Sequence, residues 1–309
     1  MTSTPINHSG ASAGPRPIHR VLILGHNGFI GSALCNYFRK QSPELELIGR
    51  SFPEIDLTRP QDAVALATLL RPDTAVIMCS AIKRQFGDTL DVFSQNLAMV
   101  MNLARVLQDQ VVARLIYFSS AAVYGEDVHN IAITEETAVA PTSYYGIAKF
   151  TSECILKKVL AMRNNPELVI IRPPLVYGPG DVGNTYGPSG FIHAALHGEP
   201  ITLWGDGSEL REFLFLPDLL AIVHKLTFCP FHGVLDIASG QSYSFRTILD
   251  QIAALAPALL DIRSRSRTKS KVDNAFDNIL LRRVFPDFAF TELNDGLKMT
   301  MQTEQKDHL

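Results

Sequence analysis

The sequence predicts an α/β fold, a doubly wound parallel sheet with a smaller domain towards the C-terminus. Three observations carry this. Short unbroken apolar runs recur at 21–24, 75–79, 115–118 and 169–171, the pattern of strands buried on both faces. Helical stretches with short links alternate with these runs, which is the order of a parallel sheet covered on two sides. From Pro173 to about Arg211 the alternation stops and Pro and Gly become dense, as in loop or small-domain material.

The totals exclude several classes. A chain of 309 residues, 46% hydrophobic and 19% charged, has the balance of an ordinary globular protein with a sizeable core. A net charge of -3 gives no nucleic-acid footprint, and the basic run 263–271 alternates with Ser and Thr like a surface loop. Cys35, Cys79, Cys154 and Cys229 are scattered without a Cys-x-x-Cys pair, so neither a metal site nor a disulfide framework is expected, and a reducing, cytoplasmic setting is. No apolar run is long enough to cross a membrane, and the first 17 residues, rich in Ser, Thr, Pro, Gly and Ala, read as a loose leader.

Taken in order, the first strand at 21–24 runs into Gly25-His26-Asn27-Gly28-Phe29-Ile30-Gly31 and then a helix. Glycines at 25, 28 and 31 let the backbone turn tightly and approach a pyrophosphate, and the helix N-terminus favours its charge. This turn, placed between a buried strand and a helix, points to a dinucleotide. The second strand, 45–49, ends at Arg50 and Ser51, where the adenosine ribose would lie. A carboxylate there suits NAD; Arg50 can pair with a 2'-phosphate and suits NADP. Asp56 and Leu57 follow within reach of the adenine, and Thr58 with Gln61 has the form of a capping box. The third strand, 75–79, leads to Ser80, Ala81 and Lys83. A helix over about 89–108 shows a core stripe interrupted by Asn96, and the fourth strand, 114–118, ends in Ser119-Ser120 at the edge where such sheets bind ligands. A fifth strand covers 169–171. Residues 213–216 are read as a return to the sheet, followed by a helix from Pro217 and a strand at 234–237; a helix near 245–255 precedes a weakly patterned tail. The division is therefore a leader over 1–17, a Rossmann domain over 18–172 plus 212–239, and a substrate domain over 173–211 plus 240–309.

The chemistry centres on Ser143-Tyr144-Tyr145-Gly146-Ile147-Ala148-Lys149. On a helix Tyr145 and Lys149 lie one turn apart on one face, so a phenol and an ammonium can serve one site. Lowering a tyrosine pKa from near 10 to about 7 takes roughly 4 kcal/mol of differential stabilisation, and a nearby lysine can supply part of it.

Five motifs in register resemble the extended short-chain dehydrogenase/reductase family over about 20–240. They are the glycines 25, 28 and 31; Ser119-Ser120-Ala121-Ala122-Val123-Tyr124-Gly125; Tyr145 and Lys149 after Pro141 and Ser143; the stretch 172–181 from Arg172 to Asp181; and Gly205-Asp206-Gly207 with Arg211. The family's best-known members are nucleotide-sugar epimerases, dehydratases and 4-keto reductases. By this resemblance Ser120 holds the substrate oxygen at C4 beside Ala121, Tyr145 is the acid/base, and Lys149 holds the nicotinamide ribose. Lys83 and Asn96 match further cofactor contacts, and Arg211 matches the arginine that grips the nucleotide diphosphate. The helices near 89–108 and 143–164 match those through which members form homodimers.

Departures from the family pattern narrow the reaction. Ala121 and Ala122 stand where the 4,6-dehydratases carry an Asp-Glu pair, and Ala122 and Gly190 stand where the fucose-synthase branch carries its epimerising cysteine and histidine. Leu175 replaces an asparagine that contacts substrate phosphates, which leaves room for a non-sugar ketone. Two reactions remain: reduction of the C4 ketone of a nucleotide-linked deoxyhexose by NADPH, favoured by Arg50, and NAD-dependent 4-epimerisation of a nucleotide sugar. A scaffold that senses NADP without turnover is the rival from another class.

Overall fold

A computed structural model describes residues 16–161, 167–181, 186–268 and 270–307; the expected leader falls almost wholly outside them. The chain opens with β1 (Arg20–Leu24), α1 (Phe29–Gln41), β2 (Glu46–Arg50), α2 (Pro60–Ala67), β3 (Thr74–Met78), α3 (Leu90–Asp109) and β4 (Arg114–Phe118). It continues through β5 (Asn130–Ile133), α4 (Tyr144–Ala161), β6 (Glu167–Arg172), β7 (Leu175–Tyr177), α5 (Pro188–His197), β8 (Ile201–Trp204) and β9 (Leu210–Phe215). The remainder is α6 (Leu216–Phe228), β10 (Gly233–Asp236), β11 (Ser242–Ser244), α7 (Phe245–Leu255), β12 (Ile262–Arg265), β13 (Asn274–Phe276), α8 (Ile279–Val284) and α9 (Leu293–Asp307).

Six strands form one parallel sheet in the order β10-β6-β4-β3-β1-β2. Successive side chains point to opposite faces, and both faces are covered, which is why these strands read as unbroken apolar runs. Val21, Ile23, Ile77, Ile116 and Ile171 pack with Leu34 and Phe38 of α1 and Leu219 and Val223 of α6. Leu22, Leu24, Met78, Leu115 and Ile170 pack on the other side with Leu66 of α2, Leu103 and Leu107 of α3 and Leu156 of α4. Each aliphatic side chain withdrawn in this way contributes about 1.5–3 kcal/mol. The strand order reverses direction at β1, between β2 and β3, and a ligand crevice is expected at the C-terminal ends of β1 and β3.

The remaining strands make smaller sheets: β11-β9-β7, β12-β8 and β13-β5. A separate core joins Tyr177, Phe191, Phe213, Phe215, Phe245, Ile248 and Leu297.

Three sequence expectations are corrected. Residues 213–216 do not return to the large sheet. β9 is the middle strand of the three-stranded sheet, Phe213 and Phe215 facing the third core and Leu214 the first, while β10 takes the place beside β6. Thr58 and Gln61 form no capping box, because α2 starts at Pro60 with Arg59 at its N-cap, and the Thr58 hydroxyl donates to Asp56 Oδ1 at 2.6 Å. The weakly patterned tail contains β12, β13, α8 and α9.

Candidate active site

The glycine turn sits at the crevice end of β1. Gly25 has φ +93°, and a Cβ on Gly31 would stand 1.9 Å from the Gly25 carbonyl oxygen, so only glycine lets α1 begin this close to the turn. Gly28 caps α1 without a side-chain hydrogen bond, and the first turn carries no acidic residue. The leading N–H groups of α1 therefore meet no capping side chain, and the helix dipole favours an anion there. The turn and donors fit the pyrophosphate of a nicotinamide dinucleotide.

Gly146 plays the matching part on α4. A Cβ there would lie 2.6 Å from the Ala122 carbonyl oxygen, so its absence allows α4 to seat against the turn that follows Ser120. The Ser143 hydroxyl accepts from Gly146 N–H at 3.1 Å and helps start the helix. This seating brings Tyr145 beside Ser120, near enough for the hydroxyl to lower the phenol's pKa, and Ser120 Oγ accepts from Ala122 N–H at 3.1 Å.

The electrostatics of the pair are set mainly by burial. Burial pushes Tyr145 up to about 12; the Ser120 hydrogen bond lowers it and the Glu126 charge raises it further. Lys149 sits beside the phenol on the same helix face. Its Nζ donates to the Phe118 carbonyl at 2.6 Å and lies 5.6 Å from the centre of the Tyr145 ring, and burial takes its own pKa down to about 8. At neutral pH the site holds a protonated phenol. Cys79 is pushed up to about 12 by burial and stays a thiol.

Behind these groups runs a buried polar chain that the sequence reading did not find. Glu153, one turn past Lys149 on the same face, is fully buried; it accepts from Ser119 Oγ at 2.5 Å and from Arg172 Nε at 2.9 Å and Nη2 at 2.6 Å. Arg172 Nη1 donates to the Tyr124 hydroxyl at 2.8 Å, which donates to both oxygens of Asp236 at 2.9 Å. Burial and the Glu135 charge push Asp236 up to about 7. This chain fixes Ser119, the neighbour of Ser120, and the strand end at Arg172, whose following carbonyl, Pro173, accepts from Ala121 N–H at 3.0 Å. The i, i+4 step from Lys149 to Glu153 was the available signal.

One cavity of about 620 Å³ joins these parts. Gly25, Gly28, Phe29, Ile30, Gly31, Ala81 and Lys83 line one end, Ser120, Ala121, Tyr145 and Lys149 the middle, and Leu175, Tyr186, Trp204, Arg211 and Arg267 the other end. Lys83 Nζ lies 5.2 Å from the centre of the Phe29 ring. Arg267 also escaped the sequence reading, because the basic run 263–271 resembles a surface loop. Its Nη1 donates to Glu209 Oε2 at 2.6 Å, and its buried Nη2 has no hydrogen-bond partner among the described residues. Arg211 pairs with the same Glu209 and donates from Nη1 to the carbonyls of Leu210, at 2.9 Å, and Val272.

Several expected cofactor residues do not line this cavity: Asn27, Arg50, Ser51, Asp56, Leu57, Ser80 and Asn96. Most are engaged in fixing its walls. Both ends of the Asn96 amide are held by Ile82, accepting from its N–H at 2.8 Å and donating to its carbonyl at 3.0 Å, so Asn96 positions the loop that carries Ala81 and Lys83. Ser51 Oγ accepts from Asn27 N–H at 3.2 Å and hydrogen-bonds His26 Nδ1 at 2.9 Å, tying the glycine turn to β2. Asn27 donates to the Phe52 carbonyl at 3.0 Å, Asp56 accepts from Thr58, and the Leu57 side chain is buried in the core beneath α3. Ser80 closes against Gly25, where a Cβ would stand 2.8 Å from Ser80 N. Arg50 lies at the end of β2 with its Nη1 donating to the Gly49 carbonyl at 2.7 Å.

The fold and this cavity are those of a Rossmann-type α/β protein with a half-buried tyrosine in its crevice. The chain belongs to the NAD-dependent epimerase/dehydratase family, whose model matches residues 21–228. It is 24% identical over 254 residues to GDP-L-fucose synthase 1 of Arabidopsis thaliana, covering 75% of this chain and 76% of that one. It is likewise 24% identical over 264 residues to a dTDP-4-dehydro-6-deoxy-D-allose reductase of a Streptomyces species, covering 76% and 80%. Among solved structures, MoeE5 in complex with UDP-glucose and NAD matches with a TM-score of 0.82 at 23% identity, over 94% of this chain and all of that one. A UDP-glucose 4-epimerase of Thermotoga maritima matches with the same TM-score and coverage at 19% identity. The protein is therefore of the nucleotide-sugar epimerase, dehydratase and reductase class. Among the described residues no helix is long and apolar enough to cross a membrane.

Proposed function

We propose that the protein reduces the C4 ketone of a nucleotide-linked deoxyhexose, with NADPH as the reductant. The observation that carries this reading is the end of β2, where Arg50 and Ser51 stand in place of the carboxylate that holds an unphosphorylated ribose. The state of Tyr145 supports it, since a phenol protonated at neutral pH is the form that ketone reduction consumes. When bound, the dinucleotide supplies the hydride. Ser120 hydrogen-bonds the ketone oxygen, Tyr145 delivers its proton to that oxygen, and buried Lys149 holds the ribose beside them. Arg211 and Arg267 face the diphosphate; Arg267 Nη2, 3.6 Å from Asp206 and without a hydrogen-bond partner among the described residues, is a donor for it.

The second reading is an NAD-dependent 4-epimerase, favoured by the match to MoeE5 with UDP-glucose and NAD and to a UDP-glucose 4-epimerase. Mass spectrometry of the dinucleotide carried through purification separates the two. Tightly held NAD, with UDP-glucose converted to UDP-galactose and no added reductant, would overturn the reductase. An empty or NADP-loaded protein that oxidises NADPH at 340 nm with a 4-keto sugar supports it, and titration should show tighter binding of NADPH than of NADH, lost in Arg50→Ala. Binding without turnover across the sugar panel would leave the NADP sensor. We further propose a cytosolic homodimer formed through α3 and α4, on which Leu90, Tyr144 and Ile147 are exposed; gel filtration at the monomer mass would count against the dimer.

A further inference from the structure

Glu126 follows the turn that carries Ser120 and Tyr124 and has no part in the steps above. Its Oε1 accepts from Arg84 Nη1 at 2.7 Å, and its backbone carbonyl accepts from Arg211 Nη2 at 3.5 Å. The other carboxylate oxygen, Oε2, is buried and has no hydrogen-bond partner among the described residues. A buried acceptor left unpaired costs about 1–3 kcal/mol, more when it is charged. A ligand that brings a donor removes that cost.

The position restricts what the donor can be. Glu126 lines the same cavity as Ser120, Tyr145 and Leu175. Its charge opposes ionisation of the Tyr145 phenol, and the two side chains open onto the same cavity. Leu175, 45% exposed, adds only apolar surface to the cavity, and of the carboxylates lining it Glu126 is one with a buried oxygen still open to a donor. A negatively charged acceptor favours a hydroxyl or an amino group and rejects a carboxylate.

We propose that Glu126 Oε2 accepts a hydrogen bond from a hydroxyl or amino substituent on the sugar beside the reacting carbon, and so selects sugars carrying that donor over their deoxy counterparts. Arg84 holds the carboxylate in place from the loop after β3, opposite the turn. The assignment rests on the nucleotide-sugar reading of the cavity and holds for reductase and epimerase alike.

The test is calorimetric titration of the full-length protein, saturated with NADP, by UDP-glucose, dTDP-glucose and GDP-mannose, followed by the 3-deoxy and 6-deoxy forms of whichever binds. The wild type should bind one deoxy form about ten- to a hundredfold more weakly than its parent. Glu126→Ala should bind the parent as weakly as the wild type binds that deoxy form, with the discrimination gone, and Glu126→Gln, which keeps an acceptor without the charge, should fall between. Arg84→Ala, which loosens the carboxylate but keeps the acceptor, should lose less of the discrimination than Glu126→Ala. Unchanged parent affinity in Glu126→Ala, or discrimination retained in that variant, would show that Glu126 only anchors Arg84 and would overturn the assignment. No binding of any of the three sugars by the wild type overturns it together with the nucleotide-sugar reading. Discrimination that depends on Glu126, in a protein that oxidises no NADPH, sinks the reductase alone.

Discussion

The two ends of the cavity are built from different materials. At the glycine end the ligand-facing surface is backbone: a turn at Gly25, the approach of Gly31 to it, and the uncapped start of α1, all within one stretch of chain. At the far end the surface is side chain, with Arg211 and Arg267 held by Glu209 and brought together from β9 and the loop after β12. A backbone cradle suits a group common to every dinucleotide and tolerates little change. A side-chain clamp can be altered residue by residue, so under the proposed function it is the end at which specificity would be adjusted.

The sharpest way to break the contrast is Gly31→Ala. With the new Cβ 1.9 Å from a carbonyl oxygen, the turn or the helix must move, and we expect at least a ~100-fold loss of dinucleotide affinity with about 1–3 kcal/mol of destabilisation, read by fluorescence titration and chemical denaturation. Tyr145→Phe lies between the two ends. It should keep the fold and dinucleotide binding while lowering hydride transfer at least ~100-fold; unchanged turnover would remove the tyrosine from the chemistry. Arg267→Ala tests the clamp alone, with KM for the nucleotide sugar rising about tenfold and dinucleotide affinity unmoved. A change in dinucleotide affinity would mean the two ends are not separable.

The smallest effect concerns pH. Asp236 has its folded pKa raised from 3.8 to about 7, so its contribution to stability is fully present below pH ~4 and is lost as pH rises through 7. The wild-type melting temperature should therefore fall more between pH 5 and 8 than that of Asp236→Asn. Equal slopes would place the Asp236 pKa outside this window.

What was legible in the sequence follows the same division. The strands of the large sheet were readable because burial on both faces leaves unbroken apolar runs, and the glycine turn because its spacing is local. Tyr145 and Lys149 were readable because four residues make one helical turn. Arg267 was not, since a pocket arginine and a surface arginine look alike until β12 pairs with β8 and carries the following loop to Glu209. β9 was misplaced because alternation reports that both faces are buried, not which sheet buries them. Asn96 was recognised as an unusual polar residue on an apolar stripe, but its partner, the backbone of Ile82, lies in a loop without pattern.

The Glu153–Arg172 pair has a consequence for how this chain can change. Removing either partner strands the other charge in the core beside Ser119, at a cost of about 3–5 kcal/mol, whereas exchanging both for apolar residues of similar volume costs far less. Single replacements are therefore far more costly than the paired exchange, and a double-mutant cycle should return a coupling energy larger than that of any ion pair on the surface.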